Sequence, residues 1–102
     1  MHHRPVIRHI VLWSFKETVP QSERDALVAA ARALPGKIPS LRSLEVGEIV
    51  SPARAQGYTH VLVETFDDRD GLAEYAGHPE HLPLGARLGD AASQLLAVDL
   101  EI

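Results

Sequence analysis

Between residues 58 and 81 the chain carries three of its six histidines and both of its tyrosines. Tyr58 and His60 open an apolar run. Tyr75, His78 and His81 fall within the heptapeptide Tyr75-Ala76-Gly77-His78-Pro79-Glu80-His81, which closes a short amphipathic stretch. An imidazole moves protons near neutral pH and a phenol can hydrogen-bond an oxyanion, so the set suits removal of an acidic proton beside a carbonyl. His81 is the candidate general base. The positive end of a helix that starts at Pro79 disfavours its imidazolium and keeps a lone pair free, while Glu80 acts in the opposite sense. Tyr75 is placed to steady the developing enolate, and His78 to orient the turn or add a hydrogen bond.

These rings need a sheet and two helices to bring them together. Residues 6–15 read as a strand with Ile7, His9, Val11, Trp13 and Phe15 on one face and Val6, Arg8, Ile10, Leu12 and Ser14 on the other. Residues 23–34 read as a helix capped by Ser22, with a buried stripe of Leu27, Val28, Ala31 and Leu34, ended by Pro35-Gly36. Residues 41–50 form an edge strand and 58–66 a central one. Asp67 or Asp68 caps the next helix, which carries Leu72, Tyr75 and Ala76 inward until Gly77. His78-Pro79 reads as the cap and first position of a further helix to residue 88. Residues 95–102 form the last strand.

The order βαββαβ predicts an α+β, ferredoxin-like domain over residues 6–102, a four-stranded antiparallel sheet with its helices on one face, behind a disordered terminus at 1–5. In that sheet the first and third strands are neighbours, so His9 and His60 are expected close together, with Tyr75 reaching the same volume. Val11, Trp13 and Leu62 from the strands and Val28 and Ala31 from the first helix complete the expected substrate pocket, which Trp13 narrows. Glu64 shares the parity of His60 and reads either as an inward carboxylate or as a residue past a bulge in solvent, of which the second is expected. Taken singly, His9 or His60 reads as a hydrogen-bonded core residue and Tyr75 as a core aromatic; their convergence is what argues for a pocket. A three-histidine metal centre of His60, His78 and His81 is disfavoured, because no carboxylate or cysteine motif at ligand spacing supports it. The uncovered sheet face is read as holding Ile10, Leu12, Leu44, Val46, Val61, Val63, Leu96, Val98 and Leu100, an apolar extent that predicts a homodimer packed sheet on sheet.

Composition bounds the function. A chain of 102 residues supports one core, and 45% apolar with 24% charged residues is an ordinary globular balance. A net charge of -4 with scattered basic residues argues against nucleic acid or an anionic membrane as partner. The absence of cysteine removes thiol and disulfide chemistry, and no apolar run approaches a membrane span. A cytoplasmic protein is expected.

The segments Arg8-His9-Ile10-Val11-Leu12, Lys37-Ile38-Pro39, Gly57-Tyr58-Thr59-His60, and Tyr75 with His78-Pro79-Glu80-His81 resemble, in this order, the stress-responsive A/B barrel (Dabb) family of dimeric α+β barrel proteins. The resemblance spans nearly the whole chain, and the histidine-proline-x-histidine element after a tyrosine is its most specific part. It implies a homodimer and, by likeness to the family's polyketide cyclases, a cofactor-free lyase or cyclase. In such a cyclase the second histidine of the element is the base and the tyrosine six residues before it assists, here His81 and Tyr75. The remaining pocket histidines are His9, His60 and His78. A β-keto or polyketide-like acid is the implied substrate. Two alternatives stand beside this: a non-catalytic stress-responsive dimer that binds a small ligand or none, and a cofactor-independent monooxygenase or isomerase, chemistry found on related barrels.

Overall fold

The structure is a computed structural model, and it describes residues 5–102; of the terminus expected to be disordered at 1–5, residues 1–4 lie outside the described residues. Four strands, β1 (Ile7–Phe15), β2 (Ser43–Glu48), β3 (His60–Phe66) and β4 (Ala92–Glu101), form one antiparallel sheet in the order β2-β3-β1-β4. The helices α1 (Gln21–Arg32), α2 (Arg69–Ala76) and α3 (Leu82–Ala91) lie on one face. This is the anticipated α+β, ferredoxin-like architecture, with β2 on the edge.

Register decides what each strand delivers to the helices. β1 pairs with β3 so that Ile7 faces Phe66, His9 faces Glu64, Val11 faces Leu62 and Trp13 faces His60. Opposed residues of an antiparallel pair share a face, so all eight point toward the helices. They feed two apolar clusters. Val11, Trp13, Phe15 and Leu62 pack on Leu27 and Ala31 of α1 and Ala91 of α3. Ile7 and Phe66 pack on Leu34, Ile38, Leu41 and Tyr75.

Several boundaries shift for local reasons. α1 starts at Gln21 behind Pro20 and uses no side-chain cap, so Ser22 lies inside the helix. The cap of α2 is Asp68, whose side chain accepts the Gly71 N–H at 2.8 Å. α3 begins only at Leu82, with Pro83 in its first turn, and His81 is its N-cap. Two prolines compete for the first helical turn here, and Pro83 takes it. His78 to His81 instead form a turn in which the His78 carbonyl accepts both the His81 and Leu82 N–H groups.

The open face also needs one correction. Leu44 and Val46 pair with Glu64 and Leu62, so they turn toward the helices and pack against the core. What the helices leave uncovered is a band from three strands. Val63, Ile10 and Val98 lie in one cross-strand row, and Val61, Leu12 and Leu96 in the next, with Leu100 beyond. Leu96, Val98 and Leu100 are each more than two-fifths exposed. Among the described residues no helix is long and apolar enough to cross a membrane.

Candidate functional site

A cavity of about 60 Å³ opens where the two apolar clusters meet, between the sheet and the helices. Its floor is His9, Val11 and Trp13 of β1 with Leu62 and Glu64 of β3. Its roof is Leu27, Val28 and Ala31 of α1, Tyr75 of α2, and His81 ahead of α3 with Leu84, Gly85 and Leu88 of that helix. Eight of the anticipated residues therefore border one space: His81, Tyr75, His9, Val11, Trp13, Leu62, Val28 and Ala31.

His60 and His78 do not. The register sets His60 opposite Trp13, four residues along the ladder from the His9–Glu64 pair, so strand adjacency does not bring the two histidines together. The His60 ring stacks on the Trp13 indole at 5.3 Å between centroids and meets Phe15 edge-on at 5.1 Å. It opens onto a separate groove with Arg24, Arg32 and Glu48. Burial lowers its pKa, with the Glu48 carboxylate opposing. His78 accepts the Glu80 N–H on Nδ1 at 3.0 Å and so braces the turn that presents His81. Among the described residues no group of three or more His, Asp or Glu side chains converges to hold a metal ion.

At the cavity roof, His81 is held by the Ala76 carbonyl, 3.2 Å from Nδ1. A carbonyl only accepts, so Nδ1 carries the proton and Nε2 keeps its lone pair. A Cβ on Gly85 would lie 3.4 Å from that Nε2. Glycine here leaves the lone pair open to the cavity. Burial lowers the His81 pKa against the raising effect of the Ala76 carbonyl, and His9 and His78 lower it further. The Tyr75 ring lies 4.2 Å from the His81 ring and is 4% exposed. Burial, reinforced by the nearby Glu64, drives its pKa upward, so the phenol stays protonated and acts as a donor.

Glu64 is the residue that sequence reasoning placed wrongly. It is 0% exposed, with no bulge to carry it outward, and packs beneath the helices between His9 and Tyr75. Neither carboxylate oxygen makes a well-formed hydrogen bond. The Tyr75 hydroxyl is near enough to favour the charged form, although its geometry falls short of a good bond, and His9 Nε2 stands 4.0 Å from Oε1. Burial outweighs both and pushes the Glu64 pKa up to about 7. Behind it, His9 Nδ1 is hydrogen-bonded to the Asp99 carboxylate of β4. The one signal in the sequence was parity, since Glu64 alternates with Leu62 and Phe66 on the inward face.

A carboxyl harder to ionise in the folded chain than in the unfolded one stabilises the fold below its unfolded pKa, near 4.5, and loses that contribution as pH rises through about 7. The span corresponds to roughly 3 kcal/mol. Urea unfolding followed from pH 4 to 8 is expected to show the wild type losing stability relative to Glu64→Gln across this window, against the opposite slope that the lowered His60 and His81 pKa values give both proteins. A Glu64→Gln variant that keeps the wild-type slope would contradict the assignment.

Comparison with known proteins agrees with the architecture. The chain is 29% identical over 94 residues to the stress-response A/B barrel domain-containing protein HS1 of Arabidopsis thaliana, covering 91% of this chain and 86% of that one. It is 22% identical over 80 residues to olivetolic acid cyclase of Cannabis sativa, covering 78% and 79%. Among solved structures, a dimeric ferredoxin-like protein of unknown function from Thermobifida fusca superposes with a TM-score of 0.83 at 27% identity, over 99% of this chain and 100% of the other. The model of the stress responsive A/B barrel domain matches residues 7–102, and the chain belongs to that family.

Proposed function

We propose that the protein is a small cofactor-independent enzyme of lyase or cyclase type, in which His81 removes a proton next to a carbonyl and Tyr75 steadies the resulting enolate. The observation that carries this reading is the His81 imidazole. Its Nδ1 proton is committed to Ala76, its Nε2 lone pair stands free beside a glycine, and its pKa is lowered by burial. A base must be unprotonated at its working pH, and these features favour that state. Tyr75, kept as a phenol, supplies a hydrogen bond that strengthens as negative charge gathers on the carbonyl oxygen.

The relative named olivetolic acid cyclase supports carbon-acid chemistry on this scaffold. The β-keto group, rather than the length of a polyketide, is what a cavity of about 60 Å³ accommodates. His9 borders the cavity with its Nδ1 hydrogen-bonded to Asp99, whereas His60 and His78 act on the walls rather than on a ligand. The protein is further proposed to work as a homodimer joined through the open sheet face. The exposed Leu96, Val98 and Leu100 and the dimeric description of structural relatives support that assembly.

The chemistry is tested by hydrogen–deuterium exchange at the α-carbon of a small ketone, butanone, in D2O, followed by proton NMR. The wild-type protein is expected to accelerate exchange above the buffer rate, and His81→Ala to lower that acceleration by about 10²–10⁴-fold. Tyr75→Phe is expected to slow it less. The rate should rise as His81 loses its proton, with a midpoint below 6.5. A rate unchanged in His81→Ala would end the proposal. Gly85→Ala should stabilise α3 by about 1 kcal/mol in thermal unfolding yet depress exchange, because the new methyl crowds Nε2. At Gly89, where an added Cβ meets nothing within 4 Å, the same change should stabilise and leave exchange intact. Sedimentation equilibrium at micromolar concentration is expected to give twice the chain mass; Leu96→Lys with Val98→Lys should return a monomer.

A further inference from the structure

Glu64 takes no part in the proton abstraction described above, yet it is the most costly side chain in the cavity wall. A fully buried carboxyl with both oxygens lacking a good partner is a large penalty unless it is neutral or a ligand completes it. We infer that the cavity, in contrast to the acid substrate that the family resemblance implies, selects small neutral carbonyl compounds over carboxylates, with Glu64 present as a carboxylic acid that donates a hydrogen bond to the ligand's carbonyl oxygen. The inference rests on the reading of this cavity as a ligand site and names what the site takes.

Charge is the first argument. Among the described residues no lysine or arginine borders the cavity and its only basic side chains are His9 and His81. Burial keeps His81 toward its neutral form. An incoming carboxylate would lose its hydration and meet no fixed cation in return, while facing Glu64. A ketone or aldehyde brings only an acceptor, which an acid O–H satisfies, and this one bond completes both partners.

The surroundings of Glu64 favour the neutral acid. The titratable groups facing it are His9 from β1, with Asp99 of β4 behind, Tyr75 from α2, and His81 across the cavity from α3. β2 contributes Leu44 opposite Glu64, and α1 contributes only apolar side chains to the cavity. His9 Nε2 stands 4.0 Å from Oε1, beyond hydrogen-bond reach, and its other nitrogen is held by Asp99. Burial holds the acid neutral to about pH 7.

The test uses two probes of nearly equal size and shape, butanone and propionate, titrated into the full chain at about pH 6 with the ring resonances of Tyr75 and His81 followed by NMR. Butanone is expected to bind about tenfold or more tightly than propionate, and its affinity to fall as pH is raised to about 8. Glu64→Gln keeps a donor and cannot ionise, so it should retain butanone binding and lose the pH dependence. Glu64→Leu should weaken butanone about tenfold. An infrared carbonyl band of a protonated carboxyl, present in the wild type at pH 6 and missing in Glu64→Gln, reads the donor directly. Equal or tighter binding of propionate, a pH dependence that survives in Glu64→Gln, or a missing band with the proton on His9 instead would each overturn the inference. Butanone binding in the expected pattern without α-hydrogen exchange would refute the proton abstraction alone. Exchange that depends on His81 while binding ignores Glu64 would refute this inference alone.

Discussion

The pairing of β1 with β3 is the constraint on which the site rests. Side chains alternate along a strand, so a slip of one residue would exchange His9, Trp13 and Glu64 for Ile10, Leu12, Val61 and Val63. Both sets contain enough apolar surface to face a core, and hydrophobicity alone does not choose between them. Size and local bonding do. Trp13, Phe15 and Phe66 are large enough to fill the space under the helices, and the smaller aliphatic residues pack on a flat outer face. At the end of the ladder, the Ser14 hydroxyl donates to the Gly57 carbonyl and the Thr59 N–H to the Trp13 carbonyl, pinning the loop into β3.

With that register fixed, polar groups are forced into an apolar layer. Glu64 and His9 sit at the seam between the two clusters rather than inside either, which is where packing is interrupted and a hollow persists. The helical roof meets this polar floor with a phenol and an imidazole whose backbone tether is set by the turn after Gly77. His78 braces the turn, Ala76 orients the ring, and Pro83 starts the helix behind it. Each local preference acts at a different sequence position, and their joint product is a pair of rings facing a carboxyl.

Much of this was legible beforehand because it rests on short-range rules. Period-two alternation found the inward faces of β1 and β3, turn chemistry found the order of elements, and helical spacing found Leu27, Val28 and Ala31. What was missed depends on long-range alignment. His60 was paired with His9 by strand adjacency, but four residues of register separate them, and only the ladder reveals it. Leu44 and Val46 were assigned to the open face for the same reason. For Glu64, a lone carboxylate among apolar neighbours normally escapes burial, which argues for solvent, but the inward parity it shares with Leu62 and Phe66 is the better guide. The late start of α3 came from two prolines spaced four apart, each a plausible first-turn residue, with tertiary packing deciding between them.

Trp13 divides the interior into two compartments. One of its sides borders the hollow beneath Tyr75 and His81, and the other carries the stacked His60 ring toward the groove at Arg24 and Glu48. The indole thus serves as a bulkhead, with His60 stacked on its groove side and Val28 shared by the linings of both spaces. Under the proposed function, the length of molecule the hollow holds would be set at this wall, apart from His81 and Tyr75.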